Sequence, residues 1–135
     1  MSEQANLRVV QNLYAAFGGG DMPGILATLD EEVDWLFNGR TSDVPFAGHY
    51  RGHEGMLRFF GTVGPLVEIH EFGPTEVHTF GDHVLALGHE RVGVRATGKR
   101  FGTDWIHFFT VRDGKIVRLR EYYDTATMAE AFRAE

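Results

Sequence analysis

Cysteine is absent from the 135 residues, so the chain can build no disulfide framework, thiolate nucleophile or thiolate metal site. Basic residues are also scarce: 13 Lys and Arg stand against 19 Asp and Glu, for a net charge of -6. Nucleic-acid binding normally rests on a basic face that releases counterions, and Arg8, Arg51, Arg58 and Arg91 are scattered along the chain, so no nucleic-acid partner is expected. No apolar run approaches the length that spans a bilayer, and the opening stretch "MSEQANLRVV" is polar before it turns amphipathic. The expected setting is therefore the cytoplasm, with no membrane partner. Internal repeats, linkers and low-complexity segments are missing too.

What is present is enough for a core. At 43% hydrophobic residues the chain has the apolar content of a single domain, expected over 1–135. Leu7, Val10, Leu13 or Tyr14, and Phe17 recur at helical spacing. "GGGD" ends that helix, and Asp21 can cap a short second one that has Pro23 in its first turn. "VDWLF" alternates as a strand, a polar loop follows with Phe46 and Tyr50 as anchors, and a third helix from about Gly52 buries Met56, Phe59, Phe60 and Val63. From Pro65 the period becomes two, interrupted at Gly73-Pro74, turning at Gly81-Asp82 and ending in the hairpin "DWIHFFTVRDGKIVRLREYYD". A terminal helix capped by Asp124 or Thr125 completes the chain. Helices first and a long antiparallel sheet afterwards predict an α+β fold with helices covering one face of a curved sheet.

The hairpin can be given a register. A two-residue turn at Asp113-Gly114 sets Phe108 opposite Leu119, Ile106 opposite Glu121 and Asp104 opposite Tyr123, all on one side of the sheet with Thr110 and Val117. Trp105, His107, Phe109, Arg118, Arg120 and Tyr122 then share the other side, although a longer loop would exchange the faces on one strand.

The segments "VVQNLYAAFGGGD", "EEVDW", "PFAGHYRGHEGMLRFF" and "FFTVRDGKIVRLREYYDTA" resemble the SnoaL-like, ketosteroid-isomerase-related branch of the nuclear transport factor 2-like superfamily, over nearly the whole chain. The resemblance implies a cone-shaped fold whose sheet wraps the helices around a pocket, with the outer sheet face used for dimerisation. The superfamily holds isomerases, cyclases, dehydratases, epoxide hydrolases and non-catalytic binding proteins, so fold alone does not choose among them. Laid without gaps against the ketosteroid isomerase pattern, the tyrosine of the first helix falls on Leu13 with Tyr14 adjacent. The general-base aspartate falls on Phe37 and the protonated acid on Ile106. Steroid isomerisation by that mechanism is therefore not expected. The same comparison turns Ile106, Leu119, Glu121 and Tyr123 toward the pocket.

Glu121 and Asp104 are thus the expected acid–base pair, in an environment that disfavours a carboxylate's charged form and so suits proton transfer. A structural ion pair between Glu121 and Arg91 or another arginine is the plainer alternative. His107 is the second catalytic candidate, although beside Arg118, Arg120, Trp105 and Tyr122 the register favours a hydrogen-bonded interface residue. Glu90 and Arg91 occupy opposite faces of one strand, and only one of them can enter the pocket. His49 and His53 stand four apart beside Glu54, but Gly52 between them argues against a ligand-bearing helix, and no metal is expected. Tyr14, Trp35, Phe37, Phe46, Tyr50, Phe59, Phe60, Ile106, Phe108, Leu119 and Tyr123 are either core or the walls of an apolar cavity. The expected function is acid–base chemistry, without a cofactor, on a small apolar molecule, or else non-catalytic binding of such a molecule. The hairpin face carrying Trp105, Phe109, Ile116 and Tyr122 is expected to form a homodimer.

Overall fold

The computed structural model describes residues 2–134; Met1 and Glu135, the two ends of the expected domain, lie outside the described residues. Helix α1 (Glu3–Gly18) starts where the Ser2 side chain accepts the Ala5 amide at 3.0 Å, and it buries Asn6, Val10 and Leu13. Helix α2 (Met22–Ala27) is capped by Asp21 with Pro23 in its first turn, as its sequence predicts. Strand β1 (Leu29–Phe37), strand β2 (Gly48–Arg51) and helix α3 (Gly52–Leu66) follow. The long strands β3 (Val67–Phe80), β4 (His83–Val94), β5 (Arg100–Arg112) and β6 (Lys115–Tyr123) precede helix α4 (Thr125–Phe132), which Asp124 caps. The Gly73-Pro74 interruption is not a break: β3 runs through it, with register shifts on either side.

The six strands form one sheet in the order β2-β1-β6-β5-β4-β3. One pairing corrects the antiparallel expectation, because β1 runs parallel to β6, making the sheet mixed. A parallel pair needs a crossover rather than a hairpin, and everything from β2 to β5 supplies it. That pairing aligns Trp35 with Leu119 and Phe37 with Glu121, bringing the first strand's rings beside the last strand's carboxyl. The helices α1 and α3 pack on the inner face, and Val10, Trp35, Met56, Phe59, Phe109 and Leu119 are buried between the layers.

The register of the last hairpin decides which residues point inward. The Asp113-Gly114 turn is as expected, with positive φ at both residues (51° and 77°) and Arg112 opposite Lys115. Val111 then pairs with Ile116, but Thr110 pairs with Arg118, so Val117 is an extra residue on β6. Beyond that bulge every β5 residue is displaced by one, which moves its side chain to the opposite face. His107, not Ile106, stands opposite Glu121; Trp105 stands opposite Tyr123 and Phe109 opposite Leu119.

Candidate active site

The inner face of the sheet and the helices enclose a cavity in which the centre of a water molecule has about 80 Å³ to occupy. Its walls are aromatic and aliphatic from almost every side. Leu13, Tyr14 and Phe17 come from α1, Trp35 and Phe37 from β1, and Phe46 from the loop before β2. Phe59, Phe60 and Val63 come from α3, and Met128 from α4. The polar groups on this wall are Tyr14, Trp35, Glu90, His107, Glu121 and Tyr123.

Five of those six are joined. The buried His107 and Glu121 are each 4% exposed, and Nε2 of His107 lies 3.1 Å from Oε1 of Glu121. The Tyr123 hydroxyl is 2.9 Å from the same His107 nitrogen and donates to the same carboxylate oxygen at 3.1 Å. The other carboxylate oxygen accepts the Trp35 indole N–H. On the far side of the imidazole, the Tyr14 hydroxyl reaches Nδ1 at 2.8 Å. With the imidazole proton on Nε2, facing the Glu121 carboxylate, and the Tyr14 hydroxyl donating to Nδ1, all of these contacts are satisfied. The Trp105 ring stacks on the imidazole at 3.9 Å between centroids, and fixes the plane in which both nitrogens point. Burial, and then the charge of Glu121, drive the Tyr14 hydroxyl far above the ordinary tyrosine range, so it stays a donor. Tyr123 is raised for the same reasons, burial first.

Glu90 is the sixth polar group. Strand β4 turns it inward and Arg91 outward, where Arg91 faces Glu71 at 3.7 Å. Among the described residues neither Arg91 nor any other arginine or lysine lines the cavity, so the expected Glu121–arginine pair is replaced by the pair with His107. Burial, followed by the nearby charge of Glu121, pushes the Glu90 carboxyl up to about 8.

Several sequence expectations are corrected by the Val117 bulge. Asp104 is on the outer face in water, 3.0 Å from His89, and is not part of the cavity. Ile106 is 41% exposed on that outer face, and Phe108 stacks there on His83. Trp105, Phe109 and Ile116, expected outside, are buried within. Tyr50 is buried but is not on the cavity wall: its ring packs edge-on against Phe59 and its hydroxyl donates to the Phe46 carbonyl. Tyr14, Trp35, Phe37, Phe46, Phe59, Phe60, Leu119, Glu121 and Tyr123 do line the cavity. No signal in the sequence marks the extra residue, which is why His107 is expected outside, and alternation along β4 leaves open which of Glu90 and Arg91 faces the helices. Among the described residues no three His, Asp or Glu side chains converge on a point that could hold a metal ion. His49 meets Asp34, and His53 meets the Leu29 carbonyl. No helix among those residues is long and apolar enough to cross a membrane.

Helices cradled by a strongly curved mixed sheet, with a buried polar cluster in the hollow, define a protein of the nuclear transport factor 2-like class. Solved structures agree. A nuclear transport factor 2-like protein from Burkholderia xenovorans LB400 superposes with a TM-score of 0.89 at 35% identity, over 98% of this chain and 99% of its own. A nuclear transport factor 2-like protein of unknown function from Burkholderia pseudomallei K96243 superposes with a TM-score of 0.89 at 28% identity, over 99% of this chain and 100% of its own. TerC, crystallised with polyporic acid, superposes with a TM-score of 0.85 at 28% identity, over 94% and 97% respectively. The chain belongs to the SnoaL-like domain family, whose model matches residues 10–119. Among curated proteins none matches it.

Proposed function

We propose that this chain is an acid–base enzyme acting on a small, largely apolar organic molecule held in the cavity, with His107 as the proton-transfer group and Glu121 as its orienting partner. The observation that carries this is the buried His107–Glu121 pair on an otherwise apolar wall. A carboxylate on one imidazole nitrogen fixes the tautomer and stabilises the imidazolium that forms when the other nitrogen takes a proton. That other nitrogen is Nδ1, where the Tyr14 hydroxyl sits, and a ligand reaches it by sharing or displacing that contact. The proton leaves the ligand as the Nδ1–H bond forms, and its return at another atom of the ligand regenerates neutral His107. Glu121, with both oxygens already hydrogen-bonded, is better suited to orientation than to abstraction. The likeness to TerC, crystallised with polyporic acid, supports a small-molecule ligand.

The test does not require the natural substrate. In heavy water, a panel of small uncharged ketones and enones should show protein-dependent deuterium incorporation beside the carbonyl. His107→Asn and Glu121→Gln should each slow it by about two to four orders of magnitude. Full activity in His107→Asn, or binding without exchange for every compound on the panel, would overturn the proposal. The second outcome is the one favoured if the saturated hydrogen bonding of Glu121 marks a structural pair in a binding protein.

The same proposal includes a homodimer through the outer sheet face. Ile106 and Tyr122 are cross-strand neighbours there, 41% and 44% exposed, next to a Phe80–His83–Phe108 ring cluster. Contiguous apolar surface of this kind is normally covered.

A further inference from the structure

Glu90 is 6% exposed, lines the cavity, and has no hydrogen-bond or ion-pair partner among the described residues. Its nearest polar neighbour along the ladder, Thr103 on β5, is occupied: its hydroxyl donates to the Asp104 carbonyl and accepts the Asp124 amide. The neighbour on the other side is Phe72 of β3. A buried carboxylate needs a cation or several donors, and this one has neither, so burial keeps its proton on. A neutral carboxyl carries an O–H donor. No acceptor among the described residues receives it.

We propose that the Glu90 carboxyl is a ligand-recognition group that donates a hydrogen bond to a carbonyl or hydroxyl oxygen, so that the cavity selects uncharged oxygen-bearing molecules over carboxylates and over amines. This rests on the cavity being a ligand site, but not on His107 performing chemistry. A carboxylate ligand would lie near Glu121 with no lysine or arginine on the wall to balance it. An ammonium would have to shed its water for a site whose ionised acceptor, Glu121, is already hydrogen-bonded at both oxygens. An uncharged acceptor satisfies the free donor at no electrostatic cost. The titratable groups facing the same space are Tyr14 from α1, His107 from β5, and Glu121 and Tyr123 from β6. β1, β3, α3 and α4 present no titratable group to it, Trp35 of β1 being the only polar side chain among theirs.

Three probes of nearly equal shape separate the cases: acetophenone, which is uncharged and accepts only; benzoate, an anion; and benzamidinium, a cation. Calorimetric titration of the intact protein at about pH 6 and about pH 10 brackets the Glu90 carboxyl. Acetophenone should bind at the lower pH at least tenfold more tightly than either charged probe, and should weaken at least tenfold at the higher pH. Glu90→Gln keeps a donor at every pH, so its acetophenone affinity should become flat between the two conditions. Glu90→Leu should weaken acetophenone about tenfold at the lower pH, the loss of one hydrogen bond. Benzoate or benzamidinium binding as well as acetophenone would overturn the inference. So would a wild-type affinity flat in pH, or no acetophenone binding up to tens of millimolar. If Glu90→Leu does not fold, the wild-type and Glu90→Gln pH comparison still decides. Because the readout is binding, these outcomes are independent of deuterium exchange, in which the His107 proposal stands or falls.

Discussion

An unpartnered carboxyl in an apolar cavity makes folding stability depend on pH in a way that a surface acid does not. The unfolded chain releases the Glu90 proton near 4.5, whereas the folded protein holds it to about 8. Between those values the folded state binds more protons, so the contribution of Glu90 is full below the lower value and is lost as pH rises through the higher one. The expected slope within that window is about 1.4 kcal/mol per pH unit from this group. Urea denaturation across the window should show the wild type losing stability relative to Glu90→Gln, and two parallel curves would mean that Glu90 is not held neutral. The residue types at this site were legible in the sequence, and the family resemblance, not alternation along β6, turned Glu121 inward. Glu90 and Arg91 could not be told apart, because alternation fixes that they differ without saying which faces the helices.

At the scale of elements, the close approach of β4 to the Trp105 ring is what positions His107. Gly88 lies directly under that ring, where an added methyl would overlap the indole and the Gly73 carbonyl oxygen. Since Trp105 is stacked on the imidazole, Gly88→Ala should push against the ring that sets the His107 plane. A loss of about 1 to 3 kcal/mol is expected in denaturant titration, and a change of only a few tenths would show that the strands shift freely. The Asp113-Gly114 turn was readable because only a few residues take two consecutive positive φ values cheaply. The bulge soon after it was not, since Ile116 and Val117 are both β-branched and apolar and either could continue the alternation. One unmarked residue therefore inverted all of β5 beyond it, from Asp104 through Phe109.

For the whole molecule, the inversion also rewrites the surface. Trp105, Phe109 and Ile116 go inside, and the face left to water carries Ile106, Phe108 and Tyr122 with Phe80. If copies of the chain pair through that face, Ile106→Lys, which introduces a charge at its centre, should shift sedimentation from dimer to monomer at micromolar concentration with the circular dichroism spectrum unchanged. A wild-type monomer under the same conditions would end the dimer proposal.

The helix spacings, the capping residues Asp21 and Asp124, and the change from period 3.6 to period two at Pro65 are local properties, and the sequence by itself determined the α+β architecture from them. Family resemblance carried that architecture to a cone with a pocket. Which side chains meet in the pocket was decided only by tertiary structure. The parallel pairing of β1 with β6 joins Trp35 to Glu121 across 86 residues, and the bulge joins His107 to the same carboxylate. Both depend on long-range register, where a shift of a single residue exchanges inside for outside and leaves local composition unaltered.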